Sequence, residues 1–130
     1  MRIIDHHIAG QPVAAGSRTS PVYDPNSGQV QAEVRLAGAD LLEQAVSAAR
    51  AAQPAWAATN PQRRARVMFK FKELVEARID ELARVLSSEH GKVIADAKGD
   101  IQRGLEVIEF CCGAPHVMKG EFSHGAGPGI

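Results

Sequence analysis

Two adjacent cysteines, Cys111 and Cys112, with His116 four residues after the second, are the residues whose types could most directly support chemistry. Neighbouring helix residues point about 100° apart, and their Cα atoms lie about 3.8 Å apart, closer than in most disulfides. Zinc prefers about four ligands, and only His116 is near. A nucleophilic cysteine needs a base and an oxyanion hole, which this pattern does not supply. The pattern therefore favours packing, and we predict no catalytic and no metal-binding residue in the chain.

Arg103, in the stretch QRGLEVIEF, is the residue best suited to binding a substrate group. Gly104 follows it and leaves a gap beside the backbone, into which a guanidinium could present parallel donors to a carboxylate or phosphate. The alternative is an ordinary arginine on an exposed face, or one paired with Glu106 or Glu109. The residues alone favour that alternative and leave the binding role open.

Three further patterns are weaker candidates. His6 and His7 are neighbours on a predicted strand, so they point to opposite faces and cannot easily share a metal. Residues 61–72 carry five cations, but acidic residues follow at once and the formal net charge of the chain is zero, so we expect no nucleic-acid partner. The glycines of residues 125–130 lack a preceding strand and a following helix, so we predict no cofactor-binding residue.

The first third of the chain has the pattern of strands and turns, over about residues 3–36. Residues 2–9 could form one strand. Residues 25–28, Pro-Asn-Ser-Gly, have turn chemistry, and residues 29–36 alternate between apolar and polar side chains. We therefore predict an N-terminal antiparallel β-hairpin.

Three helices are predicted to follow, over about residues 41–53, 61–89 and 93–112. Asp40 has the spacing of an N-cap, with Glu43 in capping-box position, and Pro54 is expected to end the first helix. Asn60 can cap the second helix, and Gly91 can end it in a left-handed conformation. Residues 122–130 are expected to be a flexible tail. The predicted fold class is an α+β fragment.

Two features indicate a chain that is not a complete domain. An isolated hairpin is marginal in water without further strands or a helix to cover it. A helix over residues 61–89 would be about 42 Å long, whereas a compact globule of 130 residues is about 36 Å across. We therefore expect the chain to pack against other protein.

Composition bears on where the chain acts. It has no continuous apolar run of membrane-spanning length, and its first residues do not resemble a signal peptide. With two cysteines and no export signal, we expect a cytoplasmic protein without a membrane partner.

Several stretches match the pattern of one known family: Asp24 to Val30, Ala55-Trp56, Arg63-Arg64, Phe71 to Leu74, Glu89 to Lys92 and, most specifically, Gly99 to Glu121. Together they resemble the N-terminal part of the aldehyde dehydrogenase superfamily, and the resemblance covers roughly residues 20–130. The stretch from Gly99 to Glu121 resembles the CoA-acylating methylmalonate-semialdehyde dehydrogenase subfamily.

The resemblance implies an activity for a parent enzyme. Members oxidise an aldehyde held on a catalytic cysteine, pass hydride to NAD, and in this subfamily transfer the acyl group to CoA. Methylmalonate or malonate semialdehyde loses carbon dioxide and gives propionyl-CoA or acetyl-CoA, in valine or inositol breakdown. Family members form dimers and tetramers. The family's arginine for the substrate carboxylate matches Arg103 here.

The resemblance also implies what this chain lacks. The catalytic cysteine, the oxyanion-hole asparagine and the main NAD-binding segments lie later in the family, and Cys111 and Cys112 do not match the nucleophile. We expect an inactive N-terminal segment of the NAD-binding α/β domain that does not bind NAD or CoA tightly. Its expected partners are the remainder of the dehydrogenase or further copies of itself. The alternative is a non-enzymatic helical interaction module.

Overall fold

The computed structural model describes residues 1–121, in which short strands precede helices. The predicted flexible tail, residues 122–130, lies outside the described residues. The strands are β1 (Arg2–Ile4), β2 (His6–Ile8), β3 (Gln11–Val13), β4 (Thr19–Tyr23) and β5 (Val30–Arg35). The helices are α1 (Ala39–Ala58), α2 (Pro61–Ala77), α3 (Ile79–His90), α4 (Ile94–Cys112) and α5 (Ala114–Val117).

The predicted antiparallel hairpin is confirmed as β4 and β5. The carboxylate of Asp24 closes its turn by accepting hydrogen bonds from the backbone N–H of Asn26 at 2.9 Å and the hydroxyl of Ser27 at 3.1 Å. Gly28 supplies the positive φ of 71° that the turn requires. The hydrogen bond from the Asn26 N–H is the main cause of the lowered pKa of the Asp24 carboxyl, because this bond favours the charged form.

The single strand predicted for residues 2–9 is wrong. Residues on either side of Asp5 belong to two sheets: β1 pairs in parallel with β5, and β2 pairs antiparallel with β3. The Asp5 carboxylate accepts a hydrogen bond from Arg35 Nε at 2.7 Å, which fixes the point where the chain leaves the first sheet. That sheet has the order β1-β5-β4.

Both predicted limits of the first helix are wrong. The N-cap is Gly38, without a side-chain hydrogen bond, so Asp40 and Glu43 form no capping box, and Asp40 lies within the first turn of α1. The helix also continues through Pro54 to Ala58. Proline removes one helical hydrogen bond, but residues 50–58 are exposed, so water can reach the freed carbonyl group. Thr59 instead ends the helix, and its hydroxyl donates to the carbonyl of Ala55 at 2.8 Å.

The single helix predicted over residues 61–89 is also wrong, and the length argument built on it fails. Arg78 has φ −118° and ψ 19°, which separates α2 from α3 and lets both pack along α4. No proline or glycine marks this break. The predicted caps are confirmed: the Asn60 side chain accepts from the N–H of Gln62 at 2.8 Å, and Gly91 has φ 83°.

The core of the described residues is thin. The residues that are buried are mostly small: Ala32, Leu41, Ala65, Ala83, Ala97 and Leu105. The accessible surface of the chain is 9731 Å², whereas a folded monomer of 13.9 kDa exposes about 6,700 Å². Even as extended chain, residues 122–130 would add only about 1,200 Å². Large apolar side chains such as Trp56, Phe69 and Phe110 are about half exposed or more, so apolar surface is uncovered. Covering by other protein therefore remains the expectation.

We expect Gly91→Ala to lower the free energy of unfolding by about 2 kcal/mol. A left-handed conformation costs an alanine about 1–2 kcal/mol, and the added Cβ would lie 2.9 Å from Cγ of Pro25. The matched control, Gly99→Ala, places its Cβ in open space within α4 and should raise the free energy of unfolding by about 0.5–1 kcal/mol. Urea denaturation followed by circular dichroism measures both, and changes of the same sign would contradict the roles assigned to these two glycines.

Candidate functional site

Arg103 lies on the surface of α4 in a three-residue cluster of charges. Its Nη2 and Lys92 Nζ both pair with the carboxylate of Asp100, which stands one helical turn before Arg103. Lys92 is held where the chain enters α4, because the hydroxyl of Ser87 donates to its carbonyl oxygen at 2.7 Å. The internal partner of Arg103 is thus Asp100, and neither Glu106 nor Glu109 takes that place.

The guanidinium of Arg103 retains capacity for a ligand. The side chain is 71 % exposed, against 30 % for Asp100 and 19 % for Lys92. One nitrogen contacts Asp100, and a guanidinium has five N–H donors, so several remain free to bind a carboxylate. A Cβ placed at Gly104 would meet nothing within 4 Å. This open space belongs to a groove that Gly104 lines together with side chains of α2 and α3, and Arg103 is not among the lining residues. A gap shared by Gly104 and the Arg103 guanidinium therefore stays a prediction.

Two further ion pairs hold α4 against its neighbours. Lys72 on α2 bonds to Glu76 at 2.5 Å and to Glu109 on α4 at 3.3 Å, and the Glu76 carboxylate is the main cause of the raised pKa of Lys72. Lys98 on α4 lies 2.5 Å from Asp80 on α3, and this bond lowers the pKa of Asp80. These exposed pairs link α4 to α2 and α3, and pairs of this kind contribute little to stability.

The two cysteines are free and half-buried, and they line different depressions. Cys111 lines a pocket against α2 and the end of α1, whereas Cys112 lines a groove that also contains His116. Within residues 1–121, no group of three histidine, cysteine or acidic side chains is arranged to hold a metal ion. His6 and His7 lie on β2. The structure thus gives the cysteine pair no shared site.

Apolar helix faces are exposed, as the expectation of covering protein requires, but several of the side chains that form them lie off the stripes that the sequence pattern identifies. On α4, Val107 is 63 % exposed and Phe110 is 69 % exposed, while Ala97 and Leu105 on its buried face contact α2 and α3. Val67 and Phe69 are exposed in the same way on α2. Helix α1 makes only sparse contacts with the other elements. A second apolar face on α4, out of register with the first, is the signal that could have revealed this.

None of the helices within residues 1–121 combines the length and apolar character that crossing a bilayer requires.

Residues 13–128 match the model of the aldehyde dehydrogenase family, so the chain belongs to that family. Its fold agrees: solved aldehyde dehydrogenases superpose on nearly the whole chain, and the predicted α+β class is confirmed.

Proteins similar to this chain in sequence and in structure include semialdehyde dehydrogenases. The malonate-semialdehyde dehydrogenase of Pseudomonas aeruginosa is 42 % identical over 130 residues, which is all of this chain and 26 % of the relative. Two similar crystal structures are a protein assigned as methylmalonate-semialdehyde dehydrogenase from Sinorhizobium meliloti, complexed with NAD, and the methylmalonate-semialdehyde dehydrogenase of Oceanimonas doudoroffii. They share 56 % and 47 % identity, with TM-scores of 0.91 and 0.93, and the match covers 99 % of this chain and 26 % of each. The chain thus spans about a quarter of the length of these relatives.

Proposed function

We propose that the chain is the N-terminal segment of an NAD-dependent, CoA-acylating dehydrogenase for malonate or methylmalonate semialdehyde. The assembled enzyme would release the substrate carboxylate as carbon dioxide and give acetyl-CoA or propionyl-CoA in the cytoplasm, as a step of valine or inositol breakdown. The observation that carries this proposal is the match of fold and sequence, across nearly the whole chain, to two methylmalonate-semialdehyde dehydrogenase structures.

Arg103 is the residue of this segment to which we assign substrate binding. The proposed substrates carry a carboxylate beside the reacting aldehyde, and an arginine fork can hold a carboxylate through two parallel hydrogen bonds. The exposed guanidinium, which has only one of its nitrogens on Asp100, supports this role. Asp100 would orient the side chain from one turn away.

Catalysis and cofactor binding belong, in this proposal, to polypeptide beyond this chain. Gly99 and Gly104 lie inside α4 and not at a turn from a strand into a helix, where backbone N–H groups cradle a dinucleotide phosphate. NAD would accept hydride and CoA would accept the acyl group, each bound by the remainder of the enzyme. The segment's partner is that remainder, and the segment alone is inactive.

The test is a hybrid dehydrogenase, in which this chain replaces the matching quarter of the Oceanimonas doudoroffii enzyme. We expect the hybrid to reduce NAD in the presence of malonate semialdehyde and CoA, and the 130-residue chain alone to show no NAD reduction. A folded hybrid with no activity on either semialdehyde would overturn the proposal, as would activity of the chain alone.

The second candidate function is a helical module that associates with itself and performs no catalysis. It is favoured by the exposed apolar side chains of α2 and α4, which would pack against another copy. In that case the chain would form a stable oligomer with its apolar faces covered, and the hybrid dehydrogenase would not reduce NAD.

A further inference from the structure

A small pocket lies where the end of α1, the start of α2, the end of α4 and α5 meet. Its lining is mainly apolar and includes Trp56, Met68, Cys111 and Met118. Its volume is about 130 Å³. An apolar cavity of about 150 Å³ holds a molecule the size of benzene, so this pocket suits a ring or chain of about six carbon atoms.

The guanidinium of Arg64 forms one wall of this pocket without an acidic partner. Its Nε is shielded from solvent and has no hydrogen-bond acceptor, and its Nη2 lies 3.9 Å from the sulfur of Met118, a weak acceptor. Among residues 1–121, none of the ion pairs includes Arg64. A charge is therefore held partly out of water with almost nothing to compensate it.

An anion that reached the terminal nitrogens of Arg64 would meet an unusually favourable site. Removing a charge from water is costly unless it is paired, and a carboxylate would restore the pairing through charge-assisted hydrogen bonds. The apolar lining in turn favours a ligand with a hydrophobic body. A single ligand must have both the carboxylate and the hydrophobic body, because the charge and the apolar walls share one small cavity.

We propose that this pocket binds a small carboxylate with an apolar body. The body would lie among Trp56, Met68 and Cys111, and the carboxylate would accept hydrogen bonds from the Nη groups of Arg64. This site is on α2 and does not involve Arg103 of α4, so it stands independently of the proposed enzymatic function.

Benzoate is the probe, and benzyl alcohol is its neutral counterpart of similar size. Trp56 is the one tryptophan of the chain, so its fluorescence reports occupancy of the pocket directly. We expect benzoate to bind about tenfold more tightly than benzyl alcohol, because hydrogen bonds to charged groups are stronger than neutral ones. This comparison needs no substitution and holds whether or not a variant folds. Equal affinity for both probes, or no binding of either, would overturn the proposal.

Arg64→Gln tests the source of the preference, with Arg63→Gln as the matched control on the exposed neighbour. Arg64→Gln should reduce benzoate affinity about tenfold and leave benzyl alcohol affinity unchanged. Arg63→Gln should change neither. Benzoate affinity that survives Arg64→Gln, or falls equally in both variants, would contradict the assignment of Arg64.

Discussion

Replacing Arg103 with glutamine is expected to lower kcat/KM for malonate semialdehyde about 100-fold in the hybrid dehydrogenase. A 100-fold loss is about 2.7 kcal/mol, which is less than two charged hydrogen bonds at about 1.5–3 kcal/mol each, because the glutamine amide can still donate one neutral hydrogen bond. This loss exceeds the effect of losing the exposed pair with Asp100. The rate for propanal, an aldehyde without a carboxylate, should stay within about twofold. Steady-state NAD reduction measures both.

The control for this substitution is Arg50→Gln, which removes an exposed arginine from α1. It should leave both kcat/KM values unchanged. If Arg103→Gln slows malonate semialdehyde and propanal equally, Arg103 supports the fold or the cofactor site and does not recognise the carboxylate.

Phe110→Ala should have a small effect on the stability of the isolated chain and a large one on that of the hybrid. In the chain alone the ring is 69 % exposed, so its loss should change the free energy of unfolding by less than about 0.5 kcal/mol. In the hybrid we expect the ring to be covered, and removing a buried phenylalanine costs about 3–5 kcal/mol. Urea denaturation of both proteins provides the comparison.

Gln102→Ala is the control for Phe110→Ala, because it truncates an exposed polar residue of the same helix. It should be close to neutral in both proteins. A hybrid that tolerates Phe110→Ala as well as Gln102→Ala would show that this face of α4 stays in water and that no other protein covers it.

Local chemistry made part of the fold predictable. The β4–β5 hairpin follows from the turn at residues 25–28, and Asn60 and Gly91 mark helix ends because a side-chain acceptor and a positive φ have clear sequence signatures. The parallel pairing of β1 with β5 has no such signature, since Arg2 lies opposite Ala32 and nothing local records the contact. The break at Arg78 likewise has no sequence signature. Pro54 predicts the end of a helix, but α1 continues through it.

The candidate site shows the same division. The open space at Gly104 follows from the residue type, and Asp100 stands three residues before Arg103, at a spacing that brings helical side chains together. Only the glutamates were considered as internal partners, so that local signal was missed. The approach of Lys92 depends on how the chain turns from α3 into α4, and the residue types do not encode that path.

Polypeptide outside this chain is expected to cover its exposed apolar faces, and the proposed function depends on that covering. Sedimentation velocity tests it most directly, with the 130-residue chain alone and then mixed with the remaining three quarters of the Oceanimonas doudoroffii enzyme. We predict that the chain self-associates when alone and co-sediments with the remainder when mixed. A chain that stays monomeric at high concentration and does not co-sediment with the remainder of the enzyme would contradict this expectation.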